Sequence, residues 1–532
     1  MFNLNKIKLP FNLNLSHAVS NITHKTYSGT TTKTLKKGLP KDTESICPVC
    51  KEVLEARLFE EDGKVFIEKN CPVHGIFKDI YWSDAEMYLK AEKWVFEEGK
   101  GLSNPLLKDA DSCPEECGLC NMHMSHTVLG NIDLTNRCNL LCPICFANAK
   151  TNGNVYEPSF PAIVKMLETL REEQPARCGA IQFSGGEPTL SPHFLDAVKK
   201  AKEMGFAHIQ AATNGIRFSD AGFTHQCREA GLHTLYLQFD GLDDNVYIKT
   251  RGRPLLETKM KVIENVRQAK MKVVFVPTII RGINDDQVGE ILKFAIKNSD
   301  VTSGISYQPI AFTGRTPEEE RIQRRYTLPD LAHDIEKQTG ILRARKDWYP
   351  LSFASPISRL LSNIKGEETT TITCHPHCSL ATYIFVDEDK KPTPVTDVID
   401  VERMFTSLDK IARSMTRTRF KSFSKIRALN AIKGCFDKQK APKGLTYEKF
   451  LYAVEGIIDR KVGRREGSEK TYTTLLVMGM HFQDSYNLDL DRLKRCVVHY
   501  SSPNNHLYPF CAYNAGTTFR PVIEKAFSQK QP

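Results

Sequence analysis

Between residues 131 and about 312, short apolar runs alternate with stretches whose apolar residues recur at helical spacing. The runs at 131–137, 180–184, 208–213, 234–240, 272–280 and 304–312 read as strands. The stretches at 160–173, 191–204, 218–231, 255–270 and 285–298 read as helices. Crossovers of that length join parallel strands, so the pattern predicts an α/β fold, either a partial barrel or an open sheet covered by helices. Ligands of such folds bind at the C-terminal ends of the strands. No repeat of fixed period is present, which argues against a solenoid. Residues 42–112 read as a small metal-stapled module followed by a helix-rich stretch, and beyond 340 the pattern turns irregular.

The longest apolar stretches, such as Val273–Ile280, are strand-sized, far below the roughly 18–20 residues of a membrane span. The opening residues Met1-Phe2-Asn3-Leu4-Asn5-Lys6 carry no continuous apolar region of a secretory signal. A cytoplasmic protein is expected.

The 532 residues exceed one small domain, and 41% hydrophobic with 26% charged residues is a globular composition. Net charge is +10 and uneven. Residues 1–41 hold seven Lys and no acid, and read as a basic, disordered extension. Residues 409–440 hold ten Lys and Arg against Asp409 and Asp437. Such blocks suit an anionic partner or a solvated helix face.

Sixteen Cys without a leader point to metal rather than disulfides. Thirteen fall into four groups: 47/50/71, 113/117/120, 138/142/145 and 374/378/496/511. Cys178, Cys227 and Cys435 stand apart and read as buried thiols.

The most informative segment is Asn136-Arg137-Cys138-Asn139-Leu140-Leu141-Cys142-Pro143-Ile144-Cys145-Phe146. Its C-x3-C-x2-C loop follows a strand. Three thiolates on one loop can hold three irons of a [4Fe–4S] cube and leave the fourth open for a ligand. Ser184-Gly185-Gly186-Glu187-Pro188 ends the next strand. Its glycines allow close backbone approach, and its carboxylate can accept from a ligand ammonium.

This pair of motifs closely resembles the radical S-adenosylmethionine (SAM) enzymes. The resemblance implies a partial (β/α)6 TIM-like barrel in which Cys138, Cys142 and Cys145 ligate the catalytic cluster. It implies that Gly185, Gly186 and Glu187 meet the methionine moiety. Asn214, Asp240 and Gln308, at the ends of later strands, are further expected SAM contacts.

Cys47-Pro48-Val49-Cys50 and Cys71-Pro72-Val73-His74 form two knuckles. Cys47, Cys50, Cys71 and His74 suit one tetrahedral ion, either zinc or a rubredoxin-like iron. Cys113, Cys117 and Cys120 repeat the C-x3-C-x2-C spacing without a Gly-Gly-Glu-Pro partner, and read as an auxiliary cluster. His123 is the favoured fourth ligand, with His126 and the distant Cys435 as alternatives. Cys374, Cys378, Cys496 and Cys511 supply four thiolates for a second auxiliary [4Fe–4S] cluster, or for zinc.

Further segments extend the resemblance to one subgroup, among them Leu476–Asp484 and Pro509–Asn514. From about residue 45 onward the chain is similar to the archaeal tetraether lipid synthases. That likeness implies joining of saturated isoprenoid chain ends of archaeal diether phospholipids by a new C–C bond. SAM, three [4Fe–4S] clusters and one mononuclear Fe or Zn would be the cofactors, with a low-potential donor such as ferredoxin. The basic stretch Arg413–Phe423 interleaves cations with apolar residues and suits either docking on a bilayer surface, which would make the protein peripheral on the inner face of the membrane, or an ordinary solvent-facing helix; no nucleic acid partner is expected. The alternative is a radical SAM methyltransferase acting on a pterin or similar heterocycle. The expected organisation is a basic extension at 1–41, the metal module at 42–112 and a cluster segment at 113–130. The barrel follows at 131–340, and a C-terminal cluster domain at 341–532.

Overall fold

The computed structural model describes residues 34–530, apart from 98, 100, 150–153, 315, 318, 416–420, 452–471 and 517–518. The first 33 residues of the basic extension and the middle of the basic stretch Arg413–Phe423 therefore lie outside the described residues. The end of the extension is ordered: Leu35 is buried, and Gly38 N–H donates to Glu92 Oε2 at 2.7 Å.

Four strands form the first sheet: β1 (Lys41–Ile46), β2 (Val53–Glu61), β3 (Lys64–Cys71) and β4 (Gly75–Trp82). They pair antiparallel in sequence order. Alternation along β3 buries Val65, Ile67, Lys69 and Cys71 on one face. Lys69 is satisfied there by Ser45 Oγ at 2.9 Å and the Ser485 carbonyl at 2.7 Å.

The central part contains β5 (Leu129–Asp133), β6 (Asn154–Tyr156), β7 (Ala180–Ser184), β8 (His208–Thr213) and β9 (Thr234–Gln238). It continues with β10 (Lys272–Val276), β11 (Thr278–Ile279) and β12 (Thr302–Pro309). The C-terminal part adds β13 (Tyr349–Pro350), β14 (Ser379–Asp387), β15 (Pro392–Pro394) and β16 (Tyr472–Met480). The last strands are β17 (Val498–Ser501), β18 (Leu507–Pro509) and β19 (Ser528–Lys530).

The six expected strands are β5, β7, β8, β9, β10 with β11, and β12. They run parallel and side by side in sequence order. The helices Phe160–Glu172, Phe194–Glu203, Ala221–Ala230, Leu256–Gln268 and Val288–Lys297 join them. Alternation explains the layering. Ile181, Phe183, Ile209, Leu235, Leu237 and Phe275 are fully buried on one face. Gln182, Gln210, Tyr236 and Gln238, at the intervening positions, line a cavity on the other.

The C-terminal part does not stand apart. β17 pairs parallel with β5, and β16 pairs parallel with β12, so late residues flank both edges of the six-stranded core. Beyond them β18 and β14 pair antiparallel. The sheet is therefore mixed and does not close, and a boundary at 340 cuts through it. Arg520, on the helix Phe519–Phe527, reaches the end of β5 and donates Nη1 to Asp133 Oδ2 at 2.6 Å, with both side chains buried. Among the described residues no helix is long and apolar enough to cross a membrane.

Within residues 131–312 one α-helix was not expected, Asp244–Arg251. It is eight residues long and buries only Val246, Tyr247 and Thr250, too few apolar positions to register as a period. Asp243 caps it by accepting from Asn245 N–H at 2.9 Å.

Candidate active site

The Cys138–Cys145 loop leaves the end of β5 and is fastened by Asn136. That side chain donates to the Asn154 carbonyl at 3.1 Å and accepts from Tyr156 N–H at 3.0 Å. Gly186 N–H donates to the Thr135 carbonyl at 2.7 Å, and Glu187 N–H to the Arg137 carbonyl at 2.8 Å. Glycine is required at both positions of this crossing. A Cβ on Gly185 would lie 2.2 Å from Thr135 O, at a φ of +131°, and one on Gly186 would lie 2.2 Å from Arg137 O.

Cys138, Cys142, Cys145, Gly185, Gly186 and Asn214 line one end of a cavity of about 960 Å³, and Gln308 lines its wall. Burial pushes the Cys138 thiol up to about 12 and raises Cys142. Metal binding would overcome this by displacing the protons. Three thiols on a single loop, beside a glycine pair and a roomy cavity, fit an open-site cluster.

The carboxylate of Glu187 faces the fold rather than the cavity. It accepts from Thr213 Oγ1 at 2.8 Å, Asn214 N–H at 2.9 Å and Thr189 Oγ1 at 2.7 Å. Burial raises its pKa against those bonds. Asn214 Nδ2 in turn donates to Asn139 Oδ1 at 2.7 Å, tying the end of β8 to the Cys loop.

Asp240 is likewise engaged within the fold. Its oxygens accept from Arg251 Nε at 2.6 Å, Arg251 Nη2 at 2.8 Å, Thr278 N–H at 3.0 Å and Gln238 Nε2. Burial pushes its carboxyl up, but the Arg251 charge and these bonds outweigh it and hold the pKa below the usual range. Arg251 lines the cavity beside Cys142. Lys259, fully buried, donates to the Asn214 carbonyl at 2.5 Å, and burial lowers its pKa to about 7. Neither cation was singled out from the sequence, because Arg251 sits on the unexpected helix and Lys259 resembles any helical lysine.

Cys47, Cys50, Cys71 and His74 place one ligand atom each within 4.8 Å of all the others. They are the only such group among the described residues. The knuckles end β1 and join β3 to β4, so the sheet itself brings the ligands together.

Cys113, Cys117 and Cys120 border a small shared cavity with His123. The His123 Nε2 atom lies 2.9 Å from the Cys496 carbonyl and 3.1 Å from His499 Nε2, and burial lowers its pKa to about 4. Its ring thus borders the thiols while that nitrogen is engaged elsewhere. His126 Nε2 accepts from Thr371 N–H at 2.9 Å, and Cys435 packs in a separate apolar cluster with Trp94 and Phe353.

Cys378 neighbours Cys374, Cys496 and Cys511. The Arg492 guanidinium is buried beside Cys378 and Cys511. Arg492 donates Nη2 to the His481 carbonyl at 2.6 Å, while Nε and Nη1 have no partner among the described residues. Unsatisfied buried donors facing converged thiols fit an anionic metal–sulfur group. Phe482 and Phe510 stack at 4.1 Å, and Phe146 lies 5.2 Å from Phe510. These rings separate the catalytic loop from Cys511 along an apolar path.

Two family models match the chain. The radical SAM superfamily covers residues 132–295, and the HMPTM N-terminal zinc ribbon domain covers 39–83. The 7,8-dihydro-6-hydroxymethylpterin dimethyltransferase of Methanocaldococcus jannaschii is 43% identical over 493 residues, spanning 92% of this chain and 96% of that protein. The chain belongs to that dimethyltransferase family. A probable GTP 3′,8-cyclase of Pyrococcus abyssi is 24% identical over 40% of this chain and 67% of its own length. Streptococcus suis SuiB bound to S-adenosylmethionine is 18% identical over 40% of this chain and 47% of its own, with a TM-score of 0.33. A radical SAM domain implies SAM and a [4Fe–4S] cluster, and the zinc ribbon implies a metal site at Cys47, Cys50, Cys71 and His74.

This membership corrects the lipid expectation. The dimethyltransferase relative is named for a pterin, not for a lipid. Tetraether synthesis is therefore set aside, together with the archaeal diether phospholipid as partner. Neither docking at the inner membrane face nor a ferredoxin partner finds support in that relative.

Proposed function

We propose that the chain is a radical SAM methyltransferase whose substrate is a pterin. One observation carries this: the dimethyltransferase relative matches this chain over 96% of its own length. When bound by Cys138, Cys142 and Cys145, a [4Fe–4S] cluster would supply the electron that cleaves SAM to a 5′-deoxyadenosyl radical. Gly185 and Gly186 keep Cβ atoms away from the Cys strand, so the methionine end of SAM can approach. Glu187 is a positioning residue that fixes Thr213 and Asn214. Asn214 and Gln308 offer amides to the cavity. Asp240 acts through Arg251, which brings a positive charge to Cys142.

Cys113, Cys117 and Cys120 hold one auxiliary cluster, with His123 at its edge. Cys374, Cys378, Cys496 and Cys511 would hold a second, with the buried Arg492 guanidinium beside Cys378 and Cys511 to offset its negative charge. The two give three [4Fe–4S] clusters with the catalytic one, beside the mononuclear ion of the ribbon.

The test uses anaerobically reconstituted protein with SAM, a chemical reductant and 7,8-dihydro-6-hydroxymethylpterin. Mass spectrometry is expected to show 5′-deoxyadenosine and pterin carrying added methyl groups, both lost in Cys142→Ala. Deoxyadenosine without methylated pterin, with and without a second methyl donor, would overturn the pterin reading.

A further inference from the structure

A cation stands beside each of the Cys groups assigned a cluster. Arg251 stands beside Cys142 and is held by Asp240. Lys494 stands beside Cys113 and pairs with Glu44 at 3.0 Å. Arg492 stands beside Cys378 and Cys511, and it alone of these cations makes no ion pair among the described residues.

The other fully buried arginines sharpen the contrast. Arg325 is paired with Asp79 at 2.7 Å and Asp484 at 2.6 Å, and Arg495 with Asp491 at 3.1 Å. Beyond the thiols, what Arg492 meets is neutral. Its Nη2 donates to the His481 carbonyl at 2.6 Å, and its guanidinium lies 5.5 Å from the centroid of the Tyr81 ring. Nε and Nη1 are buried without a hydrogen-bond partner among the described residues. Acids in the region are engaged by other groups. Asp489 accepts from Tyr81 Oη at 2.9 Å, Asp491 is held by Arg495 and lies 3.6 Å from His375 Nε2, and Glu92 is held by Lys41. A buried charge without a counter-ion is strongly destabilising. The anion within reach of Arg492 is the group that Cys374, Cys378, Cys496 and Cys511 would hold.

His481 adds to the same surroundings. Ser379 opposes Met480 where β14 pairs with β16, and one step on, His481 N–H donates to the Cys378 carbonyl at 3.0 Å. Directly opposed residues share a face of the sheet, so the His481 side chain lies on the Cys378 side. Its ring is buried, and neither ring nitrogen has a partner among the described residues.

Reducing a [4Fe–4S] cluster adds one negative charge. An unpaired cation and hydrogen-bond donors near the sulfurs favour the reduced form and raise the potential. Burial alone opposes the added charge, but in the same low dielectric an unpaired cation acts at greater strength. At the catalytic loop, Asp240 and Glu187 offset Arg251 and Lys259.

We infer that Arg492 holds the potential of the C-terminal cluster above that of the catalytic one, with His481 as a second donor. Arg492 is a positioning residue: it acts through the cluster. The inference rests on the second auxiliary cluster proposed above and is independent of the pterin reading. One electron from a reductant, which is thereby oxidised, then converts the C-terminal [4Fe–4S]2+ to [4Fe–4S]1+ before the catalytic cluster is reduced. That electron is held behind Phe510, which precedes Cys511 and lines the catalytic cavity together with Phe146 and Phe482.

Redox titration of the anaerobically reconstituted full chain, followed by electron paramagnetic resonance, tests this. Added SAM marks the catalytic signal by shifting it, and Cys511→Ala marks the C-terminal signal by removing it. In the wild type the C-terminal signal is expected to develop at the higher potential. Arg492→Gln should lower its midpoint by about 59 mV, an about tenfold loss of preference for the reduced form, and leave the catalytic midpoint in place. Arg492→Lys keeps the charge and should preserve the wild-type order, while His481→Leu should lower the midpoint by less than Arg492→Gln. If Arg492→Gln fails to assemble, the wild-type order and the Lys variant still decide. A Cys511→Ala protein with undiminished iron and every signal intact would remove the cluster reading, and the inference with it. A C-terminal cluster that is present but reduced at or below the catalytic potential, or unmoved by Arg492→Gln, would overturn the inference alone.

Discussion

Arg251 grips Asp240 with two nitrogens, Nε on Oδ2 at 2.6 Å and Nη2 on Oδ1 at 2.8 Å, and the Asp240 side chain has no exposed surface. The pair links the end of β9 to the short helix Asp244–Arg251, and Arg251 Nη1 also donates to the Ile144 carbonyl of the Cys loop at 3.3 Å. Removing one partner strands a buried charge, which costs about 3–5 kcal/mol. Arg251→Met should therefore lower the denaturation midpoint and release iron from the 138–145 loop. Arg251→Lys should keep the charge but lose the fork, with intermediate stability and iron content. Unfolding curves and iron analysis check both.

Gly186→Ala should cost about 1–3 kcal/mol, because the new Cβ meets backbone that cannot swing aside. The two hydrogen bonds that dock the Gly-Gly-Glu-Pro turn on Thr135 and Arg137 would stretch. SAM binding should weaken more than overall stability falls. Equilibrium dialysis of SAM, set beside thermal unfolding, separates the two effects.

Cys71→Ser should remove the ribbon metal, since one of four ligands within 4.8 Å is lost. The ribbon is sewn to the C-terminal part by Ser45 Oγ donating to the Leu488 carbonyl and Tyr81 Oη donating to Asp489 at 2.9 Å. Loss of the ion should thus lower the melting temperature of the whole chain, not of the ribbon alone. Metal analysis should find one equivalent fewer per chain, and calorimetry one transition shifted as a unit.

Glu173 is buried and accepts from Thr127 N–H at 2.7 Å, yet burial raises its pKa from 4.5 to about 7. A carboxyl with a raised folded-state pKa favours the fold below its unfolded value and loses that contribution as pH rises through about 7. Glu173→Gln should abolish this part of the pH dependence. The stability of the variant relative to wild type should rise by about 3 kcal/mol between pH 4.5 and 7. Urea denaturation at both ends of that window measures it.

Strand and helix periodicity made the six-stranded core legible, because its buried face is apolar at every second position from Ile181 to Ile305. The Cys groups were legible by spacing alone, and the ribbon ligands meet as their knuckles imply. What could not be read is long-range. Nothing local marks Val498–Ser501 as the neighbour of Leu129–Asp133, almost 370 residues earlier. Nor does a strand-end acid reveal whether it faces a ligand or a buried arginine, as Glu187 and Asp240 illustrate. The substrate lay furthest from reach. The radical motifs specify how SAM is used, and pterin and lipid readings share them.

The flanking of β5 by β17 and of β12 by β16 bears on how the chain is made. As it emerges from the ribosome, the core is finished by residue 309, yet both its outer strands offer unpaired backbone. Only after residue 472 does the second edge acquire its neighbour, and only after 498 the first. During that interval of translation the nascent core is open to wrong partners on two sides. Arg520 then closes on Asp133, a latch that engages when synthesis is all but complete.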